Sequence, residues 1–228
     1  MEEVRLFTYR LTHDSGFAPN PFHGYLTLAT CKPGIRRTKM VGDWVAGFAS
    51  KALVIKTMRD TGREIQADSL IYLMKVTDVV PLEKYFDDPR FQVKQPRSIT
   101  YRRGRGDNIY RRNSLNIFEG VGISDHSDPQ GNYDDWDVKH DTDGKNALVS
   151  TEFYYLGADC TMPSNGWLSN VKLPTGPTCY GIRNEEKSLD FLRKHVADKG
   201  FKLNHVGTPC LEKTVDSVST SSCGGCSS

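Results

Sequence analysis

The chain has 228 residues, 37% of them hydrophobic, with 30 Lys and Arg against 28 Asp and Glu and a formal net charge of +2. That near-neutral balance excludes a generally basic nucleic-acid coat, so phosphate contacts have to come from a local patch. No apolar run reaches the length of a membrane helix, and Met1-Glu2-Glu3 is acidic where a secretory leader needs positive charge. The expectation is a cytoplasmic protein with no membrane partner, long enough to bury a core without staples. Its six cysteines, at 31, 160, 179, 210, 223 and 226, are then expected to be free thiols.

Val4 to Leu11 alternates apolar and polar side chains and reads as an opening strand. Tyr25 to Ala29 reads as a short strand or a helix start. Val41-Gly42-Asp43 is a turn, Trp44 to Phe48 a strand, Leu53 to Ile55 another, and Leu70 to Val76 a long apolar strand fit for the sheet centre. Pro81 opens a short helix over Leu82 to Phe86, closed by Asp87-Asp88-Pro89. Ala147 to Leu156 reads as a strong strand after the Asp143-Gly144 turn. A helix runs from about Glu185 to Lys199, capped by Asn184, striped by Leu189, Leu192 and Val196, and ended by Gly200. Phe201 to Val206 could return as an edge strand. Strands outnumber helices without alternating with them, which predicts an α+β fold: a curved, mostly antiparallel sheet or small barrel with flanking helices. The Ser/Thr/Gly-rich tail, 215–228, is expected to be disordered.

The loop Gly16-Phe17-Ala18-Pro19-Asn20-Pro21-Phe22-His23-Gly24 is unusually rich in fixed-φ and aromatic residues, as a loop shaped to hold something would be. Phe17, Phe22 and Trp44, with Trp136, are candidates to stack on a base. Asn20 and Asp43 could read its edge, and His23 could add a donor. Arg97 to Arg112 carries six arginines against one acid, with Tyr101 and Tyr110 interleaved. Arg36, Arg37, Arg102, Arg103 and Arg105 are therefore the phosphate candidates. Asp125 to Asp143 is the opposite, with seven aspartates against one lysine, plus His126 and His140. Such a cluster could hold Mg²⁺ or Mn²⁺, or supply acid and base through His126 and Asp128; a solvated acidic loop is the alternative. Cys223-Gly224-Gly225-Cys226 has a paired-thiol spacing, but a zinc site there would need Cys210 and His205 as well. No Walker loop, dinucleotide fingerprint, Gly-x-Ser-x-Gly elbow or zinc-deaminase signature is present, which argues against those common chemistries.

In the first hundred residues, Leu6-Phe7-Thr8-Tyr9, Ile35-Arg36-Arg37, Met40 to Ser50, and Ile71 to Val79 leading to Pro81 resemble the PUA-like superfamily, particularly its EVE and ASCH branches. The whole chain resembles the nucleotide-modification-associated domains of bacteria and phages. The motifs that carry this are Gly16 to Phe22, Cys31-Lys32-Pro33, Ile35-Arg36-Arg37, Gly42-Asp43-Trp44, Gly144 to Ser150 and Phe153-Tyr154-Tyr155. The resemblance implies one PUA-like domain over residues 1–214 and a process, DNA modification, rather than a reaction. The expected function is recognition of a modified nucleobase or nucleotide, in DNA, within a modification or phage-defence system and beside a partner modification enzyme. The rival expectation is an enzyme acting on a nucleotide or DNA base through His126 and Asp128 with a divalent metal. A protein-interaction module is the third. Oligomeric state is not legible.

Overall fold

The computed structural model describes residues 4–96 and 105–212, apart from 165, 177 and 179. Its main sheet has six strands in the order β10-β1-β3-β4-β9-β11, built from β1 (Leu6–Leu11), β3 (Trp44–Ala49), β4 (Leu70–Lys75), β9 (Glu152–Tyr155), β10 (Ile182–Asn184) and β11 (His205–Val206). A second sheet pairs β2 (Leu26–Leu28), β8 (Asn146–Ser150) and β5 (Asp78–Pro81). A small hairpin joins β6 (Tyr110–Arg112) to β7 (Phe118–Gly120). Pairing is antiparallel except for β1 with β3 and β9 with β11. The fold is α+β as expected, with open sheets; the barrel alternative is not realised, since β10 and β11 are free edges of the main sheet among the described residues.

Strand β3 shows why the main sheet is buried on both faces. Its side chains alternate, so Trp44, Ala46 and Phe48 join one cluster while Val45 and Ala49 join another. The first face is covered by α5 (Glu186–Asp198), whose Leu189, Leu192 and Val196 form the predicted stripe. The second carries Tyr9, Leu11 and Ile71 and packs against α2 (Lys51–Thr61) through Leu53. Among the described residues no helix is long and apolar enough to cross a membrane.

Four expectations need correction. Leu53 to Ile55 is helical, inside α2. The Ser50 side chain accepts the Leu53 N–H at 3.1 Å to start that helix, and Gly62, at φ 70°, ends it. Three apolar residues could not distinguish helix from strand. The strand at Ala147–Leu156 is two strands, β8 and β9, with Thr151 between them carrying the chain from one sheet to the other. Asn184 does not cap α5. It ends β10, buried, donating from Nδ2 to the Thr8 hydroxyl and the Lys172 and Ile182 carbonyls at 3.1 Å each. The return after Phe201 is a strand only at its end, as β11. Residues 213–228, including the proposed disordered tail with Cys223 and Cys226, lie outside the described residues, as does Cys179.

Candidate functional site

Between β2 and the one-and-a-half-turn helix α1 (Pro33–Thr38), the chain turns through Cys31 and Lys32, both left-handed, at φ 55° and 43°. Two consecutive side-chain-bearing residues in that region are costly and persist only where surrounding contacts hold them. The holding contacts are specific. The Cys31 N–H donates to Asp141 Oδ1 at 2.6 Å, and its carbonyl accepts Arg36 Nε at 2.6 Å. Arg36 is wholly buried and also donates to the carbonyls of Asn146, at 3.0 Å, and of Asp141. One guanidinium therefore ties together the Cys31 turn, the end of α4 (Asp135–Thr142) and the start of β8.

What this clamp holds is a three-residue relay. Cys31 Sγ lies 3.5 Å from His126 Nε2, and His126 Nδ1 lies 2.8 Å from Asp141 Oδ2. The Tyr110 hydroxyl donates to that same oxygen at 2.9 Å. Asp141 is fully buried, and the His126 side chain is 17% exposed. Burial disfavours an imidazolium at His126. The hydrogen bonds to Asp141 and Cys31, with their charge, outweigh it and push His126 up from 6.5 to about 11. Burial alone would raise Asp141; the His126 contact, Arg36 and the Cys31 N–H instead hold it below the usual carboxylate range. A thiol, an imidazole and an orienting carboxylate in hydrogen-bond sequence are the elements of nucleophilic catalysis. Among the described residues these are also the three whose metal-capable atoms cluster, all within 4.8 Å of one another. The carboxylate oxygens that a metal would need are already taken by the Cys31 N–H, the Tyr110 hydroxyl and His126.

The relay opens into a cleft of about 340 Å³ whose walls include Tyr9, Phe17, Cys31, Lys32, His126 and Trp136. Phe17 stands edge-on to the His126 ring, 5.0 Å between centroids, so the Gly16–Gly24 loop does form a wall. The Lys32 ammonium lies 5.2 Å from the Tyr9 ring centre. Asp125 also lines the cleft, held by the Ser15 hydroxyl and by His13 at 3.8 Å.

The other candidates are placed differently. Trp44 is buried on the opposite face of the main sheet from Tyr9, under α5, with the Arg193 guanidinium 5.7 Å from its ring. It borders a separate groove of about 700 Å³ beside Asp43. Asp43 accepts both Arg5 nitrogens, at 2.7 and 2.9 Å, and the Met40 N–H at 2.8 Å, so it closes its own turn. Phe17 and Trp44 therefore do not share a pocket. Phe22 is buried and His23, at φ 64°, is exposed. Asn20 is wholly buried, donating to the Arg105 carbonyl at 2.6 Å and accepting Lys94 at 2.7 Å, which leaves no edge for a base. Arg36, proposed for phosphate, is the internal clamp. Arg37 is exposed, bonded to the Asp143 carbonyl at 3.2 Å; Arg105 donates to the Ser15 carbonyl at 3.1 Å. Arg102 and Arg103 lie outside the described residues.

The Asp-rich stretch does not converge on a divalent-ion cage. Asp128 is exposed and accepts the Gln130 and Asn132 N–H groups at 2.9 and 2.8 Å, holding a turn. His126 does not pair with Asp128; its partner is Asp141, thirteen residues further along the chain. Cys31 and Asp141 were missed because each meets His126 only in the folded chain, across 95 and 15 residues respectively. The available signal was a cysteine followed by Pro33 at a strand-to-helix transition. A family model described as nucleotide modification associated domain 2 matches residues 3–213. No curated protein and no solved structure matches the chain.

Proposed function

Since the chain belongs to the nucleotide modification associated domain 2 family, we propose that the Cys31 cleft is an active site for thiol-dependent acyl transfer or hydrolysis on a nucleotide or DNA base. The observation that carries this reading is the continuous path from Asp141 through His126 to the sulfur of Cys31, which lines the cleft. In the proposed step, Cys31 Sγ, its proton already held at His126 Nε2, attacks a carbonyl carbon. The bond from carbon to the leaving nitrogen or oxygen breaks, and His126 returns the proton to that atom. A thioester on Cys31 remains. Water or an amine then attacks it, gives its proton to His126, and releases the acid or a new amide as the thiol is restored. Asp141 orients the ring and stabilises the imidazolium. Lys32, adjacent and lining the cleft, supplies positive charge for the carbonyl oxygen.

A second reading, recognition of a modified base without turnover, is favoured by Phe17 and Trp136 in the same cleft. DNA carrying amide- or ester-substituted bases separates the two. After incubation, nucleoside mass spectrometry and intact-protein mass spectrometry should find a changed nucleoside or an acyl adduct on Cys31, both lost in Cys31→Ala. Unchanged DNA retained base-selectively by both proteins would leave a reader. Turnover that follows bound zinc, measured by elemental analysis, and survives no chelator would make the three residues metal ligands instead.

A further inference from the structure

Among the described residues Trp136 is the most exposed large aromatic, 66% accessible, whereas Trp44 and Trp167 are 5% and 3% accessible. Its indole lies parallel to the His140 imidazole, one helical turn along α4, with ring centres 4.7 Å apart and planes 12° apart. Both line the Cys31 cleft, together with Asp137. The same helix, capped by Asp134 accepting the Trp136 N–H at 2.7 Å, carries the buried Asp141 of the relay. One short helix thus places a flat, open aromatic surface in the cleft lining and, behind His126, the carboxylate that orients it. Leaving so large an apolar ring in water has a cost that core packing does not offset here.

We propose that the Trp136–His140 pair is a stacking platform for the substrate's nucleobase, which rests on the reading of this cleft as the nucleotide-acting site. The substrate class is then a planar heterocyclic base presented singly, as a nucleotide or as a base extruded from DNA, with its substituent directed inward to Cys31. A base still stacked in a duplex has both faces covered and cannot use such a surface. Stacking is tolerant of base identity, so selectivity comes from the polar groups of the same lining, the Asp125 carboxylate and Lys32.

Titration of the full chain with thymidine, deoxycytidine and deoxyadenosine 5′-monophosphates tests this, reading tryptophan fluorescence and, for variants lacking the indole, calorimetry. Saturable quenching is expected in the wild type and in Cys31→Ala, because Trp136 is the accessible fluorophore. Trp136→Leu should weaken binding about tenfold or more, the scale of one base–aromatic stack, and Trp136→Phe should recover most of it. Equal affinity in Trp136→Leu, or no nucleotide binding while Cys31 remains selectively alkylated, would overturn the platform and leave the thiol reading standing. Nucleotide binding lost in Trp136→Leu with an inert Cys31 would support the platform and remove the thiol reading.

Discussion

Two buried polar networks lie under the same loop, and they end differently. Around Lys94, the ammonium donates to the Asn20 side-chain oxygen at 2.7 Å, the Asn20 carbonyl at 3.1 Å and the Tyr25 carbonyl at 3.0 Å, which uses all three protons. Nearby Asp107 accepts Thr27 at 2.6 Å and Tyr85 at 2.9 Å. Lys94, Asn20, Thr27, Tyr85 and Asp107 are all buried. Around Asp141, an equally buried carboxylate passes its bonds outward through His126 to a sulfur that faces the cleft. The first network is complete, so it fixes the loop and does no chemistry. The second ends at a sulfur that lines the cleft, and that open end is what the proposed site rests on.

Breaking the closed network should have the largest effect on stability. Lys94→Met leaves Asp107 and the Asn20 oxygen without their cation, and should cost about 3–5 kcal/mol by denaturant unfolding. Burial holds Lys94 down at about 8 in the folded protein, with Asp107 opposing that shift. The wild-type contribution therefore improves as pH rises from 8 toward the unfolded lysine value.

His126 has the opposite sign, which sharpens the contrast. Its folded value is above its unfolded one, so its contribution is fully present below pH 6.5 and is lost as pH rises through about 11. The stability gap between wild type and His126→Ala should be widest at pH 6 and shrink across that window, as followed by thermal melts. A gap that widens with pH would contradict an ion-paired His126.

A smaller effect is expected from loosening the Arg36 clamp on the Cys31 turn. A Cβ on Gly144 would fall 2.3 Å from the Arg36 guanidinium carbon, so Gly144→Ala has to displace a fully buried group. The expected loss is about 1–3 kcal/mol, accompanied by slower alkylation of Cys31. Asp128→Asn should leave Cys31 alkylation unchanged, because the Asp128 carboxylate holds only its own exposed turn.

The contrast also explains what was legible in the sequence. Period-two alternation found β1, the Gly42-Asp43 turn marked the start of β3, the long apolar run from Leu70 found β4, and the Leu189–Leu192–Val196 stripe found α5, since each signal is local. Composition identified the Gly16–Gly24 loop as a wall and His126 as a chemical group. It could not show that Arg36 is internal, because an arginine bonded to three carbonyls has the same letter as one awaiting phosphate. Asn20 and Asp43 misled for the same reason: their polar atoms are spent on Lys94, Arg105 and Arg5. Cys31 and Asp141 meet only when β2, α1 and α4 are packed together, and no spacing rule encodes that meeting.

The central claim is that Cys31 is made reactive by His126 and Asp141. Limited iodoacetamide labelling at neutral pH, with each cysteine quantified by peptide mass spectrometry, tests it directly in wild type, His126→Ala and Asp141→Asn. The account predicts that Cys31 is modified at least about tenfold faster than Cys160 and Cys210, and that either substitution removes the advantage. Equal rates at the three cysteines in the wild type, or a Cys31 rate indifferent to both substitutions, would contradict it.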